Sequence, residues 1–333
     1  MKLLIKGGGI AGCVAGICAL LNGYEVLLFE SKKMPRHKVC GEYVSLESVP
    51  ILEQLLGITL RHYPIVYQYR IQDLISSQVI MGHLPLGGFG ISRYEFDALL
   101  MNRFTQLGGL YHSEQRIVEY AYCGNQVKAS LANGDTHLGD LYIDASGKSP
   151  CNDKADAYIG LKYHIYDNLP DPTIRLFLFA GGYFGTSSVE NGKRCVCFLI
   201  RQQSITGFNK PIDFARQILI DAKLELYSKP DQSPLYVISN FHFKPSHQIN
   251  SIGDAKQLVP PLAGNGMSIA IADGLKLLDQ TLGPTEKTDK RKGIIQQLHH
   301  IAYKPFGASL LTSSFAGAEL HQTLIGATHG HII

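Results

Sequence analysis

Apolar and polar positions in the first thirty residues follow two strand patterns with a helix pattern between them. Residues 2–6 (KLLIK) and 24–30 (YEVLLFE) are short apolar runs that predict buried strands, and residues 10–22 predict a helix of small and apolar side chains. A strand, a helix and a second strand in this order indicate a βαβ unit with parallel strands. The N-terminal pattern therefore predicts an α/β fold.

The next segment mixes helical and antiparallel-strand patterns. Residues 45–56 predict a helix, residues 61–92 alternate as paired antiparallel strands do, and residues 93–107 return to helical spacing. Within the last of these, apolar side chains share one face: Phe96, Leu99, Leu100 and Phe104. Three strand patterns follow, over residues 109–121, 126–132 and 139–145. Asn133-Gly134 is a hairpin signal, so we expect the last two strands to pair through it.

Residues 155–245 change character and predict a separate lobe. Alternating aromatic and β-branched runs surround a predicted helix at residues 213–225, which is typical of a mainly antiparallel sheet. A glycine-rich turn and a helix over residues 264–282 come next. Residues 286–302 predict a final polar helix before a tail rich in Gly, Ser and His.

Composition narrows the class of protein. The chain has 333 residues, of which 45% are hydrophobic and 18% charged, values that exclude a disordered, collagen-like or coiled-coil chain. The net charge is only +3 and no long basic run occurs, so we expect no nucleic-acid partner and a small-molecule ligand instead. Seven cysteines without a C-x-x-C pair suit a reducing, cytoplasmic location. The uncharged run at residues 7–21 is shorter than the ~20 apolar residues that cross a bilayer, so no stable membrane insertion is expected.

The first candidate binding motif is a glycine-rich loop at residues 7–12 (GGGIAG), between the first strand and the first helix. In a G-x-G-x-x-G loop, Gly7 allows the tight turn, Gly9 lets the backbone approach a pyrophosphate, and Gly12 lets the helix pack on the strand. The helix N-terminus then presents free N–H groups and its positive dipole end. Glu30 ends the second strand, where a carboxylate accepts hydrogen bonds from an adenosine ribose and repels a 2′-phosphate.

A second glycine-rich loop precedes the predicted helix at residues 264–282. It contains Gly253, Asp254, Pro261, Gly264, Gly266 and Met267. A dinucleotide with an extended ribityl chain spans two such loops: Asp254 can accept from its hydroxyls, and N–H groups near Gly266 and Met267 can stabilise negative charge on a reduced isoalloxazine. The alternative interpretation is a turn followed by a helix cap.

With these motifs together, the chain resembles FAD-dependent oxidoreductases of the para-hydroxybenzoate hydroxylase superfamily, and within it the geranylgeranyl reductase-like branch. The resemblance rests on residues 7–30, 35–42 (PRHKVCGE), 91–97, 144–147 (DASG) and 253–267, in family order. It implies a three-layer Rossmann-like FAD-binding domain with an inserted antiparallel β-sheet substrate domain. By resemblance, Arg93 contacts the cofactor, Ile117 places backbone against adenine, and residues 38–41 lie along the flavin edge that faces substrate.

The resemblance also implies domain boundaries and a cofactor contact set. The discontinuous FAD-binding domain takes residues 1–60, 91–150 and 250–285, the substrate domain takes residues 61–90 and 151–249, and residues 286–333 form a C-terminal helix and tail. The candidate cofactor-binding residues are Gly7, Gly9, Ile10, Ala11, Gly12, Glu30, Ser31, Arg36, Lys38, Cys40, Arg93, Ile117, Gly253, Asp254, Pro261, Gly264, Gly266 and Met267.

The reaction that the resemblance implies is reduction of a double bond in a hydrophobic small molecule by hydride from reduced FAD. One alternative keeps FAD and hydroxylates an aromatic or polyketide-like substrate; another is a non-catalytic FAD-retaining or apolar-ligand carrier. NAD(P)H or a reduced ferredoxin would serve as a transient electron donor. The family often has Asp where this chain has Ser146, which weakens the case for an ordinary NAD(P)H-driven hydroxylase. The chain has no Trp, so the Trp-containing signature of flavin halogenases is absent. Substrate, electron donor and oligomeric state stay open.

Single residues add little to this chemistry. Cys40 follows the basic residues Arg36 and Lys38, a setting that favours a reactive thiol, so it is either a catalytic thiol beside the flavin or a small residue that fills a turn. Cys195 and Cys197 share one strand face and are expected to pack. Histidines are plentiful but lack a metal-ligand spacing, so no metal site is expected. Aromatic residues of the second lobe either build its core or line a substrate pocket; they are Tyr163, Tyr166, Phe177, Phe179, Tyr183 and Phe184.

Overall fold

The computed structural model describes residues 1–148, 158–166, 171–228, 237–241, 250–256 and 266–282. The strands in this part of the chain are β1 (Lys2–Lys6), β2 (Glu25–Glu30), β3 (Tyr43–Ser45), β4 (Ile65–Asp73), β5 (Val79–Gly90), β6 (Leu110–Ser113), β7 (Ile117–Cys123), β8 (Gln126–Leu131), β9 (Thr136–Gly139), β10 (Leu141–Asp144), β11 (Tyr158–Tyr166), β12 (Thr173–Phe179), β13 (Gly182–Ser188), β14 (Lys193–Arg201) and β15 (Val237–Phe241). The α-helices are α1 (Ile10–Leu21), α2 (Val49–Leu56), α3 (Arg93–Gln106), α4 (Pro211–Asp221) and α5 (Gly266–Leu282).

A four-stranded parallel sheet in the order β10-β1-β2-β6 forms the middle layer of the N-terminal part of the fold. Successive side chains point to opposite faces of a strand. Leu3 and Ile5 on one face pack with the apolar side chains of α1, α3 and α5. Leu4, Leu27 and Phe29 on the other face pack with the three-stranded sheet β7-β8-β9. Helices, parallel sheet and small sheet thus make the three predicted layers.

The hairpin prediction needs a correction in this region. Asn133 and Gly134 do form a turn, closed by the Leu131 amide on the Asp135 carbonyl at 2.8 Å, but the turn joins β8 to β9. The next strand, β10, leaves that sheet and pairs in parallel with β1. The predicted strand at 109–121 is likewise two strands, β6 and β7, in different sheets. Alternation of side chains identifies a strand but carries no information about which sheet it joins.

The second sheet has eight strands in the order β15-β11-β14-β13-β12-β4-β5-β3. It is mainly antiparallel, as predicted, with one parallel pair between β12 and β4. One face packs on α4 through a largely aromatic core: Tyr163, Phe177, Phe179 and Phe184 all belong to it. Tyr183 lies on the opposite face of the sheet and Tyr166 is 61% exposed, so these two are not part of that core.

Three strands of this second sheet, β3, β11 and β13, were not predicted from the sequence. Lys162 and His164 interrupt the apolar pattern of β11, and β13 contains two glycines. Two helices also differ from their predicted bounds. The helix predicted over residues 45–56 begins only at Val49, after β3 and a short 3₁₀ turn. The helix predicted over residues 213–225 is α4, which ends at Asp221 before a 3₁₀ turn at Glu225–Ser228. β3 comes from a segment assigned to the cofactor domain, yet it forms the edge of the second sheet.

The C-terminal predictions are only partly covered. α5 agrees with the predicted helix from Gly266 onward. Residues 286–302 and the tail after them lie outside the described residues, as do Pro261 and Gly264. Among the helices described, none has the length and apolar character required to span a bilayer.

Candidate active site

The glycine-rich loop between β1 and α1 has steric reasons for two of its glycines. Gly7 has a φ of +105°, and a Cβ there would overlap the carbonyl oxygen of Ala145. A Cβ at Gly12 would overlap the carbonyl oxygen of Gly7, because α1 passes directly over the turn. Gly9 differs: a Cβ there meets nothing closer than the Lys38 Nζ at 3.8 Å. The loop is therefore closely packed at Gly7 and Gly12 and open at Gly9.

Gly8 packs against Tyr111, a residue that the sequence analysis did not identify. The phenol of Tyr111, from β6, occupies the place a Gly8 side chain would need, and its hydroxyl lies 3.5 Å from the Gly8 carbonyl oxygen. Because Tyr111 is about one hundred positions away, no local signal points to this contact. It explains why a third glycine stands in the loop.

Glu30 ends β2 directly beside this loop and is 7% exposed. Its Oε2 accepts the Gly8 N–H at 2.9 Å, and its Oε1 accepts the Lys32 N–H at 2.9 Å and the Ser31 hydroxyl at 3.3 Å. An ionised carboxylate offers about four lone-pair sites, so acceptor capacity is left for a ribose hydroxyl. Its main visible action is to fix the loop against the end of β2.

A buried ion cluster lies next to Gly9. Asp97 is fully buried and accepts from Arg93 through Nε at 3.2 Å and Nη2 at 3.0 Å, and from the Lys38 Nζ at 2.8 Å. Lys38 and Arg93 are 15% and 14% exposed. Burial lowers the pKa of Lys38, and the Asp97 carboxylate opposes that shift. Two cations share one carboxylate, so an excess positive charge faces the open part of the loop.

The helix start adds to this positive region. α1 begins after Gly9 with no side-chain cap and no acidic residue in its first turn. The first N–H groups of a helix have no partner within the helix, and its dipole is positive there. The residues that supply these N–H groups are Ile10, Ala11 and Gly12, and all three are buried. The arrangement favours an anionic group such as a phosphate.

The second loop meets the first at α1. Gly253 has a φ of +60°, and a Cβ there would lie 2.9 Å from the Cβ of Ala11. Its N–H donates to Asp273 of α5 at 3.1 Å. Asp254 is partly buried: burial raises its pKa, while the charges of Lys148 and Arg93 oppose that. The two loops, far apart in sequence, therefore face one region.

The remaining predicted contacts lie around these loops with differing exposure. Ile117 begins β7 and is buried in the core under β2, near the Gln115 amide that donates to the Glu30 carbonyl at 2.9 Å. Gly266 begins α5 in open space, and Met267 packs into the core. Arg36 is exposed, and its charge acts on Lys38.

Cys40 lies between the ion cluster and the second sheet. Its Sγ accepts the Glu42 N–H at 3.4 Å, and its carbonyl accepts the Cys195 thiol at 3.4 Å. These contacts support a turn, and they leave its catalytic role a prediction. Cys195 is buried as expected; burial raises its pKa well above the usual range and raises that of Cys197 to about 12.

Glu42 forms a second buried cluster, which the sequence did not reveal. Its Oε1 accepts the Arg93 N–H at 2.7 Å and contacts the Lys162 Nζ, and its Oε2 lies 2.5 Å from the His164 Nε2. Burial by itself raises the pKa of Glu42, but the Lys162 charge and the His164 hydrogen bond outweigh burial and lower it to about 2. The sequence motif at residues 35–42 includes Glu42 but gives no sign of this cluster, because its partners Lys162 and His164 lie on the unpredicted strand β11.

Comparison with known proteins finds distant similarity to several enzymes. No family model matches the chain. It is 22% identical over 325 residues to a chloroplastic zeaxanthin epoxidase of an Oncidium hybrid cultivar, covering 83% of this chain and 48% of that protein. It is 23% identical over 350 residues to violacein synthase of Chromobacterium violaceum, covering 86% and 79%. The chain thus spans about half the length of the zeaxanthin epoxidases it matches.

Solved structures agree on the fold. A flavoprotein/dehydrogenase from Cytophaga hutchinsonii superposes with a TM-score of 0.71 at 15% identity, covering 91% of this chain and 84% of that one. The halogenase PltM in complex with phloroglucinol and FAD superposes with a TM-score of 0.68 at 15% identity, covering 89% and 72%. The predicted fold class, a Rossmann-like domain with an inserted antiparallel sheet, is confirmed.

Proposed function

We propose that this chain binds FAD and catalyses a monooxygenase-type oxidation of a small molecule. The observation that carries the proposal is the positive, open region in front of Gly9, bounded by the α1 N-terminus and the Lys38, Arg93 and Asp97 cluster. The names of the relatives, an epoxidase, a violacein synthase and an FAD-bound halogenase, support FAD and an oxidative enzyme.

The residues present fit FAD. The open space at Gly9 suits close approach of a pyrophosphate to backbone N–H groups, and Lys38 and Arg93 would balance its charge. Glu30 would accept from the adenosine ribose, and Asp254 would accept from hydroxyls of the linking chain. When bound, FAD supplies the electrons that activate oxygen; the protein supplies binding, orientation and exclusion of water.

The relatives favour oxidation over the double-bond reduction that the sequence suggested. An epoxidase, a violacein synthase and halogenases stand among them, and none of the relatives named above is a geranylgeranyl reductase. The lack of Trp still argues against a halogenase with the Trp-containing signature. We therefore adopt the monooxygenase alternative as the main hypothesis.

A hydrophobic substrate is proposed from the face of the second sheet opposite α4. That face carries an apolar cluster with several partly buried members, among them Tyr183, Leu176 and Ile174. Cys197 and Gly185 pair beside Tyr183 on the same face. Apolar and aromatic side chains with few polar groups are typical of small-molecule pockets.

The first experiment is an absorbance spectrum and an FAD titration of the purified protein. Bound oxidised flavin gives two visible bands, and we expect them either as purified or after adding FAD. A colourless protein that takes up no FAD would overturn the proposal. Flavin that no donor reduces indicates a carrier. Where the flavin is reduced, the holoprotein is mixed rapidly with oxygen, and a transient species between the reduced and oxidised spectra supports monooxygenation. Direct return to the oxidised spectrum favours reduction of another acceptor.

A further inference from the structure

Glu42 has a backbone conformation that calls for an explanation. Its φ is +58°, in the left-handed region that residues other than glycine rarely adopt, and its carboxylate is fully buried. Such outliers are strained, and they are concentrated at functional sites. The FAD contacts proposed above make no use of Glu42.

Among the groups in contact with Glu42, the His164 imidazole is the one chemically suited to pass on a proton. Glu42 stays ionised, since its pKa is about 2, and the Lys162 ammonium against it balances that charge. Burial keeps the Cys195 thiol protonated by raising its pKa. The remaining partner, His164, carries an imidazole, a side chain whose two ring nitrogens can donate and accept a proton. A proton on His164 would be stabilised by the Glu42 oxygen 2.5 Å from its Nε2.

A second imidazole, that of His37, lies against His164 on the side toward the surface. The His37 ring meets the His164 ring edge-on, with 5.4 Å between ring centres, and stacks on Tyr94 at 5.1 Å. Tyr94 is 45% exposed. Burial and the nearby Lys162 charge lower the pKa of His37 to about 4, so it is neutral near pH 7. A neutral imidazole has one donor and one acceptor nitrogen, which is what passing a proton requires.

His164, at the inner end of this pair of imidazoles, lies on the sheet face proposed for substrate. Lys162 pairs with Cys197 and His164 with Cys195 in register, so both point to the sheet face opposite α4. The charged and titratable groups around the two imidazoles come from four elements: Glu42 in the loop before β3, Arg93 and Tyr94 in α3, Lys162 in β11, and Cys195 and Lys193 in β14.

We propose that Glu42, Lys162 and His164 form a buried acid–base relay, with His37 as its outlet, that moves a proton between solvent and the substrate face of the second sheet. This proposal rests on the proposed function, because the proton would serve the oxidation of the substrate. A proton that His164 gives up is replaced from solvent through His37, and no electron moves. His164 and His37 transfer the proton; Glu42 and Lys162 are positioning residues.

A metal ion is the competing explanation for the same side chains. Ligand atoms of Glu42, His164 and Cys195 lie within 4.8 Å of one another, a set that zinc accepts. However, Lys162 contacts the same carboxylate, and a fixed ammonium repels a divalent cation. The geometry therefore points to a proton rather than a metal.

The test uses FAD-loaded protein with His164→Asn, His37→Phe and, as a control, the exposed His83→Asn. Flavin is photoreduced, and its reoxidation by oxygen is followed from pH 5 to 9. We expect an inflection in the wild-type rate that His164→Asn removes and added imidazole partly restores. His37→Phe should slow the rate several-fold with FAD affinity unchanged within about twofold, and the control should match the wild type. In ¹⁵N-histidine NMR, His37→Phe should slow solvent exchange of the His164 ring N–H.

Three results would overturn the relay: an unchanged pH profile in His164→Asn, an equal effect in the His83→Asn control, or stoichiometric zinc in the purified protein that His164→Asn loses. His37 is only half-buried, so its variant serves if His164→Asn fails to fold. If the wild type binds no FAD, the proposed function fails on its own. The NMR exchange measurement then decides the relay separately, since an exchange rate unaffected by His37→Phe would refute it.

Discussion

The open space at Gly9 gives the sharpest test of where the cofactor binds. Gly9 has a φ of −81° and a ψ of −172°, which any residue adopts, and an added Cβ meets no atom closer than 3.8 Å. Gly9→Ala should therefore fold, with a loss of about 1 kcal/mol or less from the poorer helix cap. If a pyrophosphate lies against this backbone, however, the methyl group displaces it.

The magnitude follows from the hydrogen bonds at stake. A hydrogen bond to a charged group contributes about 1.5–3 kcal/mol. Displacing the pyrophosphate from one backbone N–H thus weakens FAD binding roughly 10- to 150-fold. Isothermal titration of the purified protein with FAD measures this, and a thermal unfolding curve of the same sample without FAD checks that the fold is intact.

Gly12 provides the contrasting variant. A Cβ at Gly12 overlaps the Gly7 carbonyl oxygen, so Gly12→Ala should lose about 1–3 kcal/mol of stability together with FAD binding. Gly12→Val, which is larger, should abolish cofactor retention. If Gly9→Ala binds FAD as tightly as the wild type while remaining folded, the pyrophosphate does not lie at this loop and the reasoning fails.

Other predictions follow from the buried charges and thiols. Asp97→Ala leaves two buried cations without their carboxylate and should cost about 3–5 kcal/mol in a denaturant titration; a loss under 1 kcal/mol would contradict the cluster. The lowered pKa of Glu42 contributes stability that is present above its unfolded value of 4.5 and lost as pH falls toward about 2, so Glu42→Gln should flatten that part of the pH–stability curve. Because burial lowers the pKa of His37, the unfolded chain takes up a proton there more readily, so stability should fall as pH falls from 6.5 toward about 4; denaturant titrations across this range should show that His37→Asn removes the fall. Iodoacetamide at mildly alkaline pH should label exposed Cys123 long before buried Cys195, as peptide mass mapping would measure.

The sequence predicted those features that depend on neighbours along the chain. β1, α1 and β2 agree with prediction to within a residue at their ends, because short apolar runs and small-residue helices are local patterns. The Arg93 and Asp97 ion pair was not predicted, although residues four apart meet on a helix and the pair is local; only the structure adds Lys38 to it.

Features that depend on the fold could not be read from the sequence. Tyr111 reaches Gly8 only because β6 pairs with β2. His164 and Lys162 looked like interruptions of an apolar strand, and their partner Glu42 comes from a loop some 120 residues earlier. No periodicity links them, since the register of β11 against β14 sets which of their side chains share a face.

The energetics of Glu42 argue that it is there for position rather than for stability. Desolvating a carboxylate costs several kcal/mol, and the left-handed backbone adds about 1–3 more. Its three partners, the Arg93 N–H, Lys162 and His164, return about 1.5–3 kcal/mol each, so gain and cost are of similar size. What the carboxylate does supply is a fixed connection: it joins the start of α3, which carries the Arg93 side chain toward Asp97, to the strand that carries His164. Because Glu42 bonds to both elements, a shift at the start of α3 would be transmitted to His164, which is how the proposed cofactor site and the proposed relay can stay aligned.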